Sequence, residues 1–447
     1  MNLKDSLTIL ERQGRLARVE TEVDPYLELA GVAAKFEGRQ AVLFENVKGY
    51  QTPVLCGLFW NRDNLAALFD CPAAELPFLF SKAVHSLHTA PIACVTVENA
   101  PAQEAVSLEP DLYAIPTPTL ALKDGGPYYS CSAVIAKDPD TGVRNTSVHR
   151  MMVTGKNRMT MLMDIGRHLR DYYERAEKRG QPLEITINNG VDPSVYFAAI
   201  TPSSAAPIDT DELAVAAALR NAPVRLCQSK TVQVEGIADA QLIIEGEILP
   251  YAREKEGPFG EVSGYYALAD DRWVVHVKAV THRQNFLVQT LLPGKEVWNS
   301  VGLTAEASIF QTVSRQIPGL KRVYLSHGGC GFYHAYIQID PPRSGMAKNA
   351  ILATFAAFPP LQMVTAVNSD VDIFDAEDVQ RAMATRLKAH EDIILIPKSF
   401  CHELNPTTEN GFGSKVGFDC TYPIPKPAEF ERVTFQEIDL TRYKIKY

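Results

Sequence analysis

The spacing of apolar residues changes character twice along this chain, and those two changes limit the fold more than any other feature. From Leu3 to Val97 helical and strand patterns alternate, with helices predicted at Leu3–Arg12, 27–36 and Arg62–Phe69 and strands at Ala41–Phe44 and 92–97. The stretch SLEPDLYAIPTPTLALKDGGPYY then has no period and reads as a crossover or domain boundary. Short strands follow at 131–137, 145–154, 159–163, 184–187, 242–248, 273–281 and 286–291, interrupted by helices at Pro193–Ala199 and 211–220. Strands and turns at that spacing point to a barrel or a sandwich. From Thr304 the alternation resumes, with helices at 304–317, 347–358 and 377–387 and strands at 322–326, 335–340, Met363–Val367 and 392–397. From Asn405 the chain reads as loop-rich and charged. The plan is a multidomain α/β (α+β) protein: α/β over 1–110, β-rich over 111–303, and α/β over 304–447.

A chain of 447 residues suggests two or three domains at roughly 150 residues each. With 46% hydrophobic and 22% charged residues it is neither disordered nor collagen-like. The net charge of −9 provides no electrostatic pull towards nucleic acid or an anionic membrane. The eight cysteines are scattered, with no CxxC pair and no zinc-ribbon spacing. Together with an N-terminus that lacks a long apolar run, they lead to the expectation of a reducing cytoplasm. No stretch approaches the ~18 apolar residues of a membrane span.

Four segments carry clustered polar groups. In REKEGPFGEVSGYY, Glu256 and Glu261 flank Gly-Pro-Phe-Gly, with Glu254 just before. A Pro/Gly turn can aim both carboxylates into one cleft, where one stays ionised beside a cation and the other keeps its proton as a general acid; a solvated acidic turn is the alternative. In RNTSVHRMMV, an ideal strand puts Asn145 and His149 on one face and Arg150 on the other. His168 lies at the start of a loop or helix in MDIGRHLRDYYERAEKRG. In TPSSAAPIDTDELAVAAALR, Ser203 and Ser204 precede Asp209, Asp211 and Glu212. Acids there complement the helix dipole, and the small residues before them suit backbone N–H contact with a phosphate. An Asn, a His and a Glu together make a mixed O/N set suited to Mg²⁺ or Mn²⁺ holding a phosphate. No GxxxxGK[ST] or GxSxG motif occurs, and the HEL at 402–404 lacks a second histidine. Cys330, between His327 and His334, has no other support as a nucleophile.

Taken in order, Asn145, Arg150, His168, Glu212 and the Glu256/Glu261 pair, with EGPFGE-x-x-GYY, LPGKE, SDVDIFD, MATR and SKVGFDCT, resemble the UbiD-like decarboxylases that use prenylated FMN. The resemblance covers most of the chain. It implies an N-terminal α/β domain, a split β-barrel that holds the flavin, and a C-terminal α/β domain that builds a homo-oligomer, dimer or hexamer. It implies Mn²⁺ or Mg²⁺ on Asn145, His168 and Glu212 against the cofactor phosphate, commonly with K⁺ nearby, which favours His168 over His149 as ligand. Ser204 and Pro207 join Asn145, Arg150, His168 and Glu212 in the implied cofactor-binding set.

The implied catalytic group is Arg150, Glu256 and Glu261: Arg150 pairs with Glu256, and Glu261 relays the proton. The strand at Asn145 must then twist or bulge for Arg150 to reach that site. The substrate pocket is expected at Trp298 and Val301, with His327, Arg283 or Lys295 available to a second carboxylate or a hydroxyl. Gln362 stands where many relatives have a basic residue, which leaves Lys415 as a candidate for the cofactor phosphate. The cofactor would come from a separate flavin prenyltransferase, and the 304–317 helix would connect domains that close over it. The implied reaction is reversible, non-oxidative decarboxylation of a small unsaturated acid, hydroxybenzoate-like or furan(di)carboxylate-like. Two readings stand against it: a flavin-free metal-dependent hydrolase or lyase on Asn145, His168 and Glu212, and a non-catalytic subunit of a larger carboxylase.

Overall fold

The computed structural model describes residues 2–208 and 210–444; Asp209 of the acidic run lies outside the described residues. The helix Leu3–Arg12 opens with a reciprocal cap in which Asn2 accepts from the Lys4 N–H at 2.9 Å and Asp5 accepts from the Asn2 N–H at 2.8 Å. The predicted 27–36 helix forms as Glu28–Ala33 and a tighter turn at Ala34–Phe36. Leu16–Val19, Ala41–Phe44 and Val54–Cys56 make a small sheet, completed by Val288–Gln289 from much later in the chain. Of the strand predicted at 92–97 only Val95–Thr96 forms, pairing with Arg225–Cys227.

Leu76–Thr89 is a helix that the sequence pattern did not reveal. Pro77 reads as a breaker there, yet it occupies the first turn, where no N–H is needed.

The middle of the chain is a nine-stranded antiparallel sheet. Its order is Tyr128–Tyr129, Met151–Gly155, Arg158–Met161, Asp270–His282, Leu242–Glu256, Leu183–Asn189, Ser132–Lys137 and Arg144–Val148, with Ala105–Ser107 added along Asp270–His282. The path has two ends, and no closed barrel forms among the described residues. The two long strands run past the predicted 242–248 and 273–281, and their extensions carry Glu256 out to the site. The strand predicted at 145–154 is two strands, broken at His149 and Arg150.

The C-terminal sheet is mixed, in the order Leu320–Leu325, His334–Ile339, Met363–Val367, Phe412–Cys420 and Ile393–Phe400. Phe412–Cys420 corrects the loop reading of the tail: it sits inside the sheet, and Gly417 lies so close to the Met346–Ala357 helix that a Cβ would stand 2.4 Å from Ile351. The linking helix is also longer than predicted. It spans Lys295–Ser314 and gives Leu303 and Ala307 to one core and Ala305, Ile309 and Val313 to the other. Buried on two faces, and with Glu296, Asn299 and Glu306 buried as well, it is clasped between the two cores.

Candidate active site

The break at His149–Arg150 resolves the strand-parity conflict. Asn145 stays on Arg144–Val148 facing Glu212, while Arg150, freed from the pleat, turns to the opposite group of acids. Arg150 Nε and Nη2 donate to the two oxygens of Glu256 at 3.1 and 2.9 Å, a bidentate pair, and Nη1 contacts Glu261. Tyr128 adds a hydroxyl donor to Glu256 Oε1 at 2.7 Å. Glu256 is fully buried and Arg150 is 9% exposed.

The two glutamates meet because the chain folds back between them. Gly257 has φ +92°, and an added Cβ would crowd Ala269 and Leu268; Gly125 packs so tightly on it that a Cβ there would lie 2.3 Å from the Gly257 oxygen. Phe259–Gly260 then pairs with Tyr266–Ala267, and Glu261 follows. The two acids differ in surroundings. Glu256 has a guanidinium on both oxygens, whereas burial pushes Glu261 up to about 7, against the pull of Arg150 and aided by the charge of Asp164.

Arg150 and Glu261 line a cavity of about 190 Å³, walled on the apolar side by Ile200, Val262, Val301 and Phe332. His149 also lines it, but its nitrogens are held by Ser147 Oγ at 2.9 Å and the Leu162 carbonyl at 3.0 Å, and burial lowers it to about 4. It is a neutral, fixed wall residue.

Asn145, His168 and Glu212 converge beside this group. Glu212 Oε1 accepts from Asn145 Nδ2 at 2.7 Å and lies 3.4 Å from His168 Nδ1, while Oε2 accepts from the Thr146 N–H at 2.8 Å. Burial raises the Glu212 carboxyl, which marks a site that a cation would complete. Among the described residues no cluster of three His, Cys, Asp or Glu side chains gathers elsewhere to hold a metal. Ser204 and Pro207 lie exposed on the loop before the Leu213–Arg220 helix.

Other expected residues are engaged elsewhere. Trp298 and His327 are not among the cavity's lining residues: the Trp298 indole donates to the Val262 carbonyl at 2.8 Å and His327 Nε2 bonds Asn299 Oδ1 at 3.1 Å. Arg283 donates to the carbonyls of Ala240 and Asp239, each at 3.0 Å, and Lys295 sits 3.9 Å from Glu37. Lys415 is buried in the C-terminal sheet, donating to the carbonyls of Pro359 and Leu361 at 2.5 and 2.6 Å. Cys330 contacts the Ser263 carbonyl at 3.8 Å, and its thiol is raised by burial.

Asp164, Arg167 and His402 line the cavity without having been anticipated. The only hint for Asp164 and Arg167 was their closeness to His168, and His402 arrives from a distant part of the chain.

An arginine between two acids on a cavity wall, with one acid raised to about 7, is a group that can exchange a proton near neutrality. The chain matches the models of all three domains of 3-octaprenyl-4-hydroxybenzoate carboxy-lyase: the N-terminal domain over 7–84, the Rift-related domain over 94–296 and the C-terminal domain over 299–420. It belongs to the UbiD family and is a UbiD-class prenylated-FMN decarboxylase.

An uncharacterized protein in the cooM 5′ region of Rhodospirillum rubrum is 50% identical over 432 residues, 96% of this chain and 93% of that one. The anhydromevalonate phosphate decarboxylase of Methanothermobacter thermautotrophicus is 34% identical over 421 residues, 94% and 97% of the two chains. The gallate decarboxylase of Lactiplantibacillus plantarum is 33% identical over 464 residues, 94% and 93%. The solved UbiD-class enzyme HmfF from Pelotomaculum thermopropionicum, in complex with FMN, superposes with a TM-score of 0.95 at 39% identity, covering 99% of this chain and 100% of that one.

Proposed function

We propose that this decarboxylase releases CO₂, reversibly and without net oxidation, from a small aromatic or heteroaromatic carboxylic acid bound in the central cavity. The observation that carries the reading is the Arg150–Glu256–Glu261 group on the wall of that cavity. The donor set fits the cofactor's metal: an amide oxygen, an imidazole and a buried carboxylate suit Mn²⁺ or Mg²⁺, with Asn145, His168 and Glu212 as its ligands. K⁺ nearby and cofactor contacts from Ser204 and Pro207 belong to the same proposal. Prenylated FMN, once bound, supplies the sink for the electron pair left when CO₂ departs.

The chain's own residues do the rest. Arg150 holds Glu256 in place by both its oxygens, and the apolar wall keeps substrate carbon away from water. Glu261 gives its proton to the carbon that has lost CO₂. Flat apolar walls at Val262, Val301 and Phe332, and the similarity to a gallate decarboxylase, support a ring-shaped substrate. A second reading has its own support: Arg167 on the cavity wall, with the anhydromevalonate phosphate decarboxylase relative, suits a phosphorylated unsaturated acid.

A flavin prenyltransferase would supply the cofactor. The central sheet would act as a split barrel around it, within domains bounded near 110 and 303. Homo-oligomer contacts would form on the C-terminal sheet, whose edge strand exposes Leu395 by 69% and Phe400 by 54%. Among the described residues no helix is long and apolar enough to cross a membrane. All eight cysteines are free, which supports a reducing compartment, the cytoplasm.

The test is an absorption spectrum and cofactor mass on protein co-expressed with a flavin prenyltransferase, followed by CO₂ release from a panel of aromatic acids. Bound prenylated flavin with Mn or Mg, and turnover of a ring acid, is the expected result. Metal without flavin would return the hydrolase reading; flavin with turnover of only phosphorylated acids would select the second substrate class. His168→Ala should lose metal and flavin together, read by metal content and the flavin spectrum.

A further inference from the structure

Each turnover of this reaction consumes one proton, because a carboxylate becomes CO₂ and a C–H bond. Glu261 must therefore be recharged every cycle, yet it sits in a cavity with one oxygen on Arg150. A second, larger cavity of about 520 Å³ shares Arg150, Leu162, Asp164, Glu261 and Leu404 with the first and adds Glu403 and Arg272. Asp164 and Glu261 thus stand on the boundary between the two spaces.

Asp164 and Glu403 both line this outer cavity, near enough for the Asp164 charge to act on Glu403, and Asp164 Oδ1, closed to solvent, has no hydrogen-bond partner among the described residues. Two neighbouring carboxyls escape like-charge repulsion when one of them keeps its proton. Glu403 is an exposed residue on the C-terminal domain, so this pair joins solvent to the boundary of the inner cavity.

We infer that Glu403 and Asp164 form the proton-supply line that recharges Glu261 in each catalytic cycle. The inference rests on the proposed role of Glu261. Glu403 takes a proton from solvent and passes it to Asp164, and Asp164 passes it across the shared cavity to Glu261, which has given its own to the substrate carbon. Each group ends the cycle in its starting state, with one solvent proton consumed per CO₂ released.

The charged surroundings agree with that direction. Asp164 faces Arg167 and Arg150, whose charges draw its carboxyl down despite burial and make it the acceptor, with His402 and His149 packed beside it. Glu403 is pushed up by burial and by Asp164, against Arg272 and Arg170, and so is the readier of the two to carry a proton. Because Glu403 belongs to the C-terminal loop and Asp164 to the loop before the His168–Lys178 helix, the line is complete only where those two loops touch.

The experiment compares Glu403→Gln and Asp164→Asn with wild-type holoenzyme on an acid that wild type decarboxylates, in H₂O and D₂O, with Glu261→Gln as control. Expected for both variants is a kcat lower by about tenfold or more with KM unchanged and a larger solvent isotope effect. In Glu403→Gln, formic acid or imidazolium buffer restores kcat. Infrared titration of the cofactor-free protein should lose, in Glu403→Gln, one carboxyl that titrates above the ordinary carboxylate range. A wild-type kcat and isotope effect in Glu403→Gln, or a loss that small acids do not restore, overturns the supply line and leaves Glu261 as donor. Wild-type turnover by Glu261→Gln overturns the proposed function itself, which separates the two failures.

Discussion

Among the described residues, two fully buried glutamates pair with arginines, and the two groups are built differently. At the junction of the linking helix with both flanking domains, Arg62 pairs with Glu306 at 2.5 Å, and Glu306 also accepts from the Leu325 N–H at 2.8 Å. The guanidinium lies over Tyr324 and Phe374, 5.1 and 5.9 Å from their ring centres, while Arg62 Nε and Nη1 and Glu306 Oε2 have no hydrogen-bond partner among the described residues. At the site, Arg150 has two acids, Glu256 has a tyrosine as well, and Glu261 faces open space. The first group ties three pieces of chain together beneath two aromatic rings. The second has one carboxyl beyond what pairing requires, and that carboxyl is on a cavity. Residue type and burial alone therefore do not separate structure from chemistry; the spare titratable group and the empty space beside it do.

The comparison breaks most sharply under substitution. Glu261→Gln should lower kcat by roughly 10²–10⁴-fold, measured as CO₂ release, with the cofactor still bound and thermal unfolding little changed. Arg62→Ala should do the reverse. It leaves Glu306 as an unpaired buried charge, costs about 3–5 kcal/mol in urea unfolding, and leaves kcat of the folded fraction near wild type. Arg62→Met with Glu306→Gln keeps the acceptor for Leu325 and should recover most of that loss.

The pH dependence sharpens the contrast. Glu261 titrates at about 7 in the folded protein against 4.5 ordinarily, and fully buried Glu296 does likewise. Between those values the native state holds more protons than the unfolded one, so both groups make stability fall as pH rises from 4.5 to about 7. Activity that needs protonated Glu261 falls as pH rises through about 7. In Glu261→Gln the stability slope over that window should shrink, leaving the Glu296 share, as read by unfolding at several pH values. The smallest effect is expected at the cavity wall: Val301→Phe should raise KM for ring acids by about tenfold with little change in kcat.

Much of this was legible because the signals are local. Leu3–Arg12, Arg62–Phe69 and Pro193–Ala199 form at the residues predicted, since their caps and apolar spacing lie within the segment itself. What was missed depends on partners. Leu76–Thr89 has a proline whose cost vanishes at a first turn, and Phe412–Cys420 takes its strand geometry from sheet neighbours despite Gly413 and Gly417. At the site, motif order placed Asn145, Arg150, His168, Glu212, Glu256 and Glu261 in one reading, while Asp164, Arg167 and His402 carry no motif and enter through loop packing.

The sequence by itself determined the alternation of α/β, β and α/β segments, the glycine-framed pair of glutamates and the family, because period, turn chemistry and motif order are properties of neighbouring residues. Only the tertiary structure decided that the strand at Asn145 breaks to release Arg150, that Arg150 takes both oxygens of Glu256 while burial raises Glu261, and that Lys415 is spent inside a sheet. Those outcomes depend on which distant groups share a low-dielectric space, and burial sets both the pKa and the free room around a side chain.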